Sequence, residues 1–371
     1  MTNTLKIGIY GSVDAGKTSL IQSLLKSKIK KYCHEEIKSI TTVLGSTSFN
    51  IGLKNLKYHL NQGSNVKKFC IIDTPGHMSY RHKSHSSIYF TDHAILLIEI
   101  LNSHSVAEAI KFSKIFNAYG IKYSILITKI DNHEKSQILK FKQSVKKSMS
   151  GYDKILYYTT QSPLARENLL EFLYFVDSGP RVSLKNIFAV LKSYNPNRVG
   201  SKIVDMNGAV VGGIGQNLSV GDNVIIHDLP AIDSPARNLI QSKIVKILKN
   251  GLPVKEIRDM AFHTIELSTC PDIGSQDGLA GCIISKKKYQ PTNILNISII
   301  QQYGNLKKKM QVYLLYRGAM IKSQLICTGK KKATLKLSRP IYLTGGDCQY
   351  LLYPDISTDT LAVAKNDSKT Q

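Results

Sequence analysis

Cysteine is scarce in this sequence, and its spacing excludes several classes of protein. Six cysteines occur in 371 residues, and none forms a Cys-x-x-Cys pair: Cys33, Cys70, Cys270, Cys282, Cys327 and Cys348. This spacing excludes the commonest zinc-binding pattern and favours a reducing, cytoplasmic compartment. Long apolar runs are also missing, because the longest candidate, residues 94–100, contains Glu99. It falls far short of the ~18 residues that span a bilayer, so no membrane partner is expected.

Acidic residues are in the minority. Aspartate and glutamate number 26 against 50 lysines and arginines, which gives a formal net charge of +24. Such a surplus predicts a polyanionic partner, usually a nucleic acid. A purely compositional origin is the alternative, because 8 of the 50 basic residues are arginine and the rest are lysine, a skew that an AT-rich genome produces. Charge alone leaves both interpretations open.

The first half of the chain has the periodicity of an α/β domain. Short apolar runs at 5–10, 69–72, 94–100, 124–128 and 155–159 alternate with amphipathic helical patterns at 18–29 and 107–119. The second of these patterns is followed by Gly120, which is expected to end the helix. Strands that alternate with helices predict an α/β domain with a doubly wound, mostly parallel sheet. Ligands of such sheets bind beyond the carboxyl ends of the strands.

The pattern changes after Gly179-Pro180. Strand-like runs are then separated by turn signals such as Asn207-Gly208, which indicates small antiparallel β-barrels. A basic stretch ending at Pro291 divides this half in two. The expected domains are therefore 1–179, 180–288 and 289–371, and the polar tail after Asp359 is expected to be frayed.

Residues 11–18 read GSVDAGKT and match the phosphate-loop pattern G-x-x-x-x-G-K-[ST]. The motif follows a predicted strand and precedes a predicted helix, which is the context that phosphate binding requires. Gly11 and Gly16 allow backbone N–H groups to face the phosphates, Lys17 offsets their charge, and Thr18 is placed to ligate Mg²⁺. An ordinary strand–helix turn that matches by chance is the alternative.

A second motif, Asp73-Thr-Pro-Gly76-His77, follows the predicted strand at 69–72. An aspartate at a strand end can hold Mg²⁺ through water, and the Gly76 N–H can reach the γ-phosphate of a nucleotide. The motif is weak when taken alone, because Asp-x-x-Gly recurs by chance.

A third motif, Thr128-Lys129-Ile-Asp131, ends the predicted strand at 124–128. Asp131 can accept both N–H groups on the edge of guanine, while the stem of Lys129 covers the base. All three motifs stand at strand ends and in the same order as in GTPases. Together they predict a GTP-binding domain.

The motifs Val-Asp-x-Gly-Lys-Thr and Asp-x-Pro-Gly-His resemble those of the translational GTPases related to elongation factor Tu. Among these, the sequence is most similar to the γ subunit of eukaryotic and archaeal translation initiation factor 2, as a shortened and divergent member. Residues 35–45, EEIKSITTVLG, resemble that family's E-E-L-K-R-G-I-T-I-K-L-G switch segment. Residues 207–213 and 218–225 are similar to its second domain, and residues 310–352 to its third.

That resemblance implies roles for individual residues. Nucleotide contacts would come from Asp14, Ala15, Gly16, Lys17, Thr18, Ser19, Asp73, Gly76, Thr128, Lys129, Asp131, Ser162, Pro163 and Leu164. The catalytic residues would be His77, which positions the attacking water, and Asp14, which supports the phosphate loop. The metal shell would be formed by Thr18, Thr41, Asp14 and Ser39. The alternatives are a surface imidazole for His77 and an ordinary loop threonine for Thr41.

The sequence departs from the family pattern at some of these positions. Ser12 and Ala15 stand where the family usually has histidine, and the switch segment is one residue short at Ser39. Pro163 has no N–H to offer the guanine O6. Either a neighbour such as Leu164 supplies that N–H, or guanine selectivity is weaker.

The implied cofactors are GTP or GDP with Mg²⁺, and no zinc is expected because Cys70 is the sole cysteine between the first switch and the second motif. The implied partners are methionyl initiator tRNA, the α and β subunits of the same initiation factor, the small ribosomal subunit, and exchange and GTPase-activating factors. Hydrolysis is expected to be slow without a partner, because the sequence offers no obvious arginine finger.

Two alternatives stay open at this point. One is an elongation-factor-Tu-like or selenocysteine-specific carrier of aminoacyl-tRNA. The other is a non-catalytic RNA-binding scaffold whose nucleotide site has decayed. Histidines also cluster at His82, His85 and His93, where a metal site is conceivable but a fourth ligand is not evident. We expect that segment to be an exposed helix after the second switch.

Overall fold

The computed structural model describes residues 4–25, 45–177, 184, 186–194, 209–227, 239–269, 279, 281–317, 319–329, 331–344, 349–355 and 359–367. Contacts between residues divide the chain into two units, Met1–Val182 and Ser183–Gln371. Thr41 and Ser39 lie outside the described residues, so their predicted roles stay predictions.

A seven-stranded sheet forms the centre of the first unit. Its strands are β1 (Leu5–Tyr10), β2 (Gly45–Lys54), β3 (Lys57–Leu60), β4 (Ser64–Asp73), β5 (His93–Glu99), β6 (Lys122–Thr128) and β7 (Ile155–Tyr158). The strand order is β3-β2-β4-β1-β5-β6-β7. The five strands from β4 to β7 in this order run parallel, while β2 is antiparallel to both of its neighbours. The predicted doubly wound, mostly parallel sheet is confirmed.

Five helices flank this sheet in the described part of the unit: α1 (Lys17–Leu25), α2 (Arg81–Ile88), α3 (Ser103–Tyr119), α4 (Lys135–Ser148) and α5 (Pro163–Phe175). Short 3₁₀ turns occupy Met78–Tyr80 and Ile130–Asn132. Helix α1 buries Leu20, Ile21 and Leu24, which recur at helical spacing. Helix α3 ends as predicted at Gly120, whose φ of 65° is left-handed.

The parallel strands bring the three predicted motifs together at the carboxyl ends of the strands. Ile9 of β1 is in register with Asp73 of β4, and Glu99 of β5 is in register with Thr128 of β6. The phosphate loop begins directly after Tyr10, so it leaves the sheet at the same end of the strands. Parallel strands end together, and their loops therefore share one site.

The expectation of an exposed helix around His82 and His85 is wrong. Most of α2 is buried, and His85 is 5% exposed with its ring edge-on to Phe112 of α3 at 5.3 Å. Arg81 places one guanidinium nitrogen 2.9 and 3.0 Å from the two carboxylate oxygens of Glu108. A polar helix can be buried here because α3 supplies the opposite charge and an aromatic face.

The second unit begins with a β-barrel. Its strands are β8 (Ile187–Tyr194), β9 (Ala209–Gly215), β10 (Leu218–Ser219), β11 (Asn223–His227), β12 (Ile240–Lys249), β13 (Leu252–Val254), β14 (Glu256–Ile257), β15 (Phe262–Leu267) and β16 (Ile283–Ser285). The main sheet has the order β11-β16-β8-β9-β15-β12-β13, and a further pairing of β11 with β12 closes it. Strands β10 and β14 form a separate two-stranded ladder.

A second barrel follows from Pro291. Its strands are β17 (Pro291–Gln302), β18 (Gln311–Tyr316), β19 (Ala319–Thr328), β20 (Lys332–Tyr342), β21 (Gln349–Tyr353) and β22 (Ala362–Asn366), closed in the order β17-β20-β19-β18-β21-β22. The expected pair of antiparallel barrels is confirmed. Within the described part of the chain, no helix is long and apolar enough to cross a membrane.

The expectation of a frayed tail after Asp359 is wrong for Ala362–Asn366. This segment forms β22 and pairs with both β17 and β21. Val363 is fully buried, and the Tyr350 hydroxyl donates to Asn366 Oδ1 at 2.8 Å. The strand closes the barrel by pairing with the edges of β17 and β21, which would otherwise be open. The stability gained from this pairing outweighs the polarity of the residues that flank β22.

Candidate nucleotide site

The phosphate loop connects the buried end of β1 to the first turn of α1. Gly16 has a φ of 89°, a conformation that glycine adopts without strain. Asp14 is exposed and also has a positive φ, of 61°. Ala15 is fully buried, whereas Ser19 on the first turn of α1 is exposed. This curled backbone at a helix N-terminus is the arrangement that binds phosphate.

Lys17 is held inside this loop. Its ammonium group donates to the carbonyl oxygens of Gly11 and Ser12 at 2.9 and 2.6 Å. Burial lowers the pKa of Lys17 to about 8, although the nearby carboxylates of Asp73 and Asp14 act in the opposite direction. A buried ammonium at a helix N-terminus attracts a polyanion, because few solvent molecules screen its charge.

Asp73 lies at the end of β4 next to the phosphate loop. Its Oδ2 accepts a hydrogen bond from the Thr18 hydroxyl at 3.0 Å, and the Asp73 side chain is buried. The adjacent Thr74 hydroxyl donates to the Ile9 carbonyl at 2.6 Å and ties the motif to β1. A hydroxyl and a carboxylate side by side form an all-oxygen donor set, which suits Mg²⁺.

Gly76 packs directly against the phosphate loop. A Cβ at this position would overlap the Lys17 ammonium and come within 2.9 Å of both Ser12 O and Val13 N. The chain therefore needs a glycine here for the second motif to approach the first. The loop glycines, the buried Lys17 and the Thr18–Asp73 pair fit a nucleoside triphosphate with its divalent cation.

His77 stands beside this cluster with its side chain exposed. Its Nδ1 accepts a hydrogen bond from the Ser79 N–H at 3.3 Å, and its ring centroid lies 6.1 Å from that of Tyr80. The imidazole is thus attached to the turn that follows Gly76 while remaining accessible to solvent.

The third motif is connected to the phosphate loop by its threonine. Thr128 is buried, and its hydroxyl donates to the Ala15 carbonyl at 2.9 Å. Lys129 has a left-handed φ of 58°, and its ammonium group pairs with Glu99 at 2.7 Å. Asp131 is exposed and accepts a hydrogen bond from the Thr159 hydroxyl. The structure therefore joins residues from three loops at this end of the site.

Thr159, which contacts Asp131, was not among the site residues predicted from the sequence. Ser162 was the predicted neighbour of the base, but its hydroxyl accepts from the Ala165 N–H at 3.3 Å and caps α5. Pro163 is the first residue of that helix, and the Leu164 side chain is 64% exposed. The sequence signal for Thr159 was its place directly after the strand β7. In the structure, the Gln161 N–H also donates to the Thr159 hydroxyl at 3.1 Å.

Among the described residues, no group of three or more histidine, cysteine, aspartate or glutamate side chains is arranged to hold a metal ion. Cys70 is buried on β4, and His93 is buried on β5. The absence of a zinc site stays a prediction.

A family model for the elongation factor Tu GTP-binding domain matches residues 2–304 of this chain. The chain belongs to this family. It is a divergent translational GTPase, and its nucleotide is GTP or GDP.

Relatives with similarity over most of their length are γ subunits of translation initiation factor 2. The subunit from Sulfurisphaera tokodaii is 23% identical over 353 residues, which cover 85% of this chain and 84% of that protein. The subunit from Methanococcus vannielii is 22% identical over 92% of this chain and 93% of that protein.

The fold of this translational GTPase is similar to solved structures of selenocysteine-specific elongation factors. A bacterial factor of this kind has a TM-score of 0.73 at 18% identity, covering 99% of this chain and 58% of that one. The factor SelB from Methanococcus maripaludis, bound to a GTP analogue, has a TM-score of 0.70 at 16% identity, covering 99% of this chain and 79% of that one. At this identity the likeness describes the fold alone.

Proposed function

We propose that this translational GTPase carries methionyl initiator tRNA to the small ribosomal subunit in its GTP form and releases it after hydrolysis. The observation that carries the proposal is similarity to archaeal initiation factor 2 γ subunits along 84% and 93% of their length. The α and β subunits of that factor, an exchange factor and a GTPase-activating factor are the corresponding partners.

Within the proposed switch, the phosphate loop binds the nucleotide. Lys17 neutralises negative charge on the β- and γ-phosphates, and backbone N–H groups of the loop and the first turn of α1 would donate to them. Mg²⁺, when bound, would neutralise charge on the phosphate oxygens, and it would be held by Thr18 directly and by Asp73 through water. The 3.0 Å Thr18–Asp73 contact supports this assignment because it places both oxygen donors together.

Asp131 reads the base in this proposal. Its carboxylate accepts both N–H groups of the guanine edge, which an adenine edge does not present. Thr159 orients that carboxylate by its hydrogen bond, and the stem of Lys129 covers the base. The Thr128–Ala15 hydrogen bond couples this end of the site to the phosphate loop.

His77 orients the attacking water, and Gly76 senses the γ-phosphate. The exposed imidazole directly after Gly76 supports the first role, and the packing of Gly76 on the phosphate loop supports the second. Positioning of water and stabilisation of charge are what phosphoryl transfer demands of a protein. Asp14, Thr41 and Ser39 complete the proposed site, the last two from outside the described residues.

A second candidate is a carrier of selenocysteinyl or elongator aminoacyl-tRNA. The fold similarity to selenocysteine-specific factors over 99% of this chain favours it. The two candidates differ in which aminoacyl-tRNA binds and share the same GTP switch.

A competition experiment separates them. The chain with a non-hydrolysable GTP analogue is incubated with labelled methionyl initiator tRNA, and unlabelled methionyl initiator, methionyl elongator and selenocysteinyl tRNAs compete for it. The proposal predicts that the initiator competes at least ~10-fold better than the other two, a difference of ~1.4 kcal/mol. A preference for selenocysteinyl or elongator tRNA would transfer the assignment to the second candidate.

A further inference from the structure

We propose that the first unit carries an RNA-contacting surface, separate from the nucleotide site, at the β2–β3 hairpin and the end of α5. We call it the hairpin surface and define it by Lys54, Leu56, Lys57, Tyr58, Lys67, Tyr174 and Phe175. It would bind single-stranded or looped RNA by base stacking and by phosphate contacts. This goes beyond the proposed delivery of tRNA and does not depend on it.

The β-ladder brings the hairpin part of this surface together. β3 is the edge strand of the sheet, and Lys54 pairs with Lys57 across the hairpin, while Leu53 pairs with Tyr58. Leu56, at the turn between them, is 92% exposed. An edge hairpin that presents lysines and an apolar tip to water is a surface available to a partner.

Three aromatic rings are packed against one another beside this hairpin. The Tyr58 ring lies 4.8 Å from that of Tyr174 and 5.7 Å from that of Phe175, and the last two rings are 5.6 Å apart. The Tyr174 hydroxyl donates to the Asn65 carbonyl at 2.9 Å, which attaches α5 to the start of β4. The rings are thus held in place before any partner binds.

Phe175 is the ring that this packing leaves accessible, with 62% of its surface exposed. Its edge-on contacts with both tyrosines fix its orientation while the remaining surface faces water. A rigid aromatic ring of this kind is a stacking platform for a nucleobase, and such stacking tolerates any base because every base has a π-face.

The charges around the rings favour a polyanion. Lys67 places its ammonium group 5.0 Å from the centre of the Tyr174 ring and donates to the Tyr174 carbonyl at 2.7 Å. Lys57 forms an exposed ion pair with Glu167 at 3.6 Å, which contributes little stability. Glu171 also faces this surface, near the Tyr58 ring. Three lysines of the hairpin surface, Lys54, Lys57 and Lys67, therefore meet two glutamates here.

An RNA strand fits these features better than a protein partner. Protein interfaces are depleted of lysine at their centre, whereas here the Lys67 ammonium group lies over the Tyr174 ring. Single-stranded nucleic acid sites instead combine a basic track with aromatic rings. The hairpin surface has both of these elements within contact distance.

The test measures binding of a fluorescein-labelled RNA of about 15 nucleotides to the full chain, by anisotropy at several salt concentrations. Phe175→Ala is compared with Leu139→Ala, which truncates another exposed apolar side chain on α4. Lys54→Gln/Lys57→Gln is compared with Lys135→Gln/Lys140→Gln, which removes the same charge from α4. Binding of fluorescent GDP is measured for every variant and is expected to stay unchanged.

We expect Phe175→Ala to weaken RNA binding at least ~5-fold while Leu139→Ala leaves it unchanged. Lys54→Gln/Lys57→Gln should reduce the slope of log affinity against log salt by about 1.4, the value for two lost phosphate contacts on a single strand. The α4 pair should not change this slope. Equal losses in both lysine pairs, or no loss with Phe175→Ala, would overturn the proposal.

An acidic protein partner would give a different result. In that case the same variants would weaken binding of a labelled poly-glutamate peptide and leave RNA affinity unchanged, and the proposal would be wrong. Because the assay uses neither tRNA delivery nor GTP turnover, this result is independent of the proposed function.

Discussion

The Thr159 hydroxyl donates a hydrogen bond to the Asp131 carboxylate, so the loop after β7 supports the residue proposed to read guanine. Asp131→Asn should relax guanine preference, because an amide cannot accept both base N–H groups. Thr159→Val should reduce the preference for GDP over ADP ~5-fold or more, since the carboxylate loses its orienting donor. Competition between fluorescent GDP and unlabelled nucleotides measures both effects.

Thr160→Val is the matched control for Thr159→Val, because Thr160 is the exposed neighbour on the same loop. It should leave the preference unchanged. If both threonine variants retained full guanine preference, the role assigned to Thr159 would be wrong.

Lys17 gives the nucleotide affinity a defined pH dependence. Its pKa is lowered to about 8 by burial, and a bound phosphate favours the charged amine. In the nucleotide-free protein the Lys17 amine is mostly protonated below pH 8, so nucleotide affinity should be nearly constant in that range. Above pH 8 binding requires uptake of a proton, and affinity should fall by up to about tenfold per pH unit.

Lys17→Ala should weaken GTP binding by about 100-fold, the loss of a buried charge-assisted contact, and should remove the decline above pH 8. Titrations of fluorescent nucleotide from about pH 6.5 to pH 9.5 with both proteins test this. Parallel curves for the two proteins would show that another group causes the decline, and unchanged affinity in the variant would refute the site.

His77→Ala should separate catalysis from binding. If the imidazole orients water, GTP affinity should stay within about twofold of the wild type while hydrolysis slows ~100-fold or more. Single-turnover hydrolysis with and without ribosomes measures the rate. An equal loss of affinity and rate would instead make His77 a structural residue.

The Arg81–Glu108 pair should be important for folding. Both side chains are buried, at 7% and 10% exposure, so Glu108→Gln removes the buried negative charge that the Arg81 guanidinium contacts in the first unit. We expect a loss of about 3–5 kcal/mol in the free energy of unfolding. Glu167→Gln, which breaks the exposed Lys57–Glu167 pair, should cost less than about 1 kcal/mol. Urea denaturation of both variants checks this, and similar costs would contradict the burial argument.

Much of the fold followed from local sequence patterns. The strands that end at Tyr10, Asp73 and Thr128 were visible as apolar runs, and each is followed by a motif with limited chemical alternatives. Gly120 marked the end of α3 because few other residues adopt a left-handed conformation without strain. Periodicity and backbone stereochemistry are local properties, so these elements could be predicted from a single sequence.

The features that were missed depend on contacts between distant segments. Helix α2 is buried because it packs against Glu108 and Phe112 of α3. Residues 81–88 are polar when read alone, and for that reason they predicted an exposed helix. The pairing of β22 depends on β17 and β21, and its five residues alone resemble a tail. Thr159 was overlooked because Ser162-Pro163 is a stronger local signal, and the structure uses that signal to start α5.

The nucleotide dependence of initiator tRNA binding tests the proposed carrier function most directly. Filter binding of methionyl initiator tRNA is measured with a GTP analogue and with GDP at two salt concentrations. A carrier whose switch senses the γ-phosphate should bind at least ~10-fold more tightly with the GTP analogue, a coupling of ~1.4 kcal/mol, and affinity should fall with salt in both states. Equal affinity in the two nucleotide states, with salt dependence alone, would show a basic RNA-binding surface and contradict the carrier function.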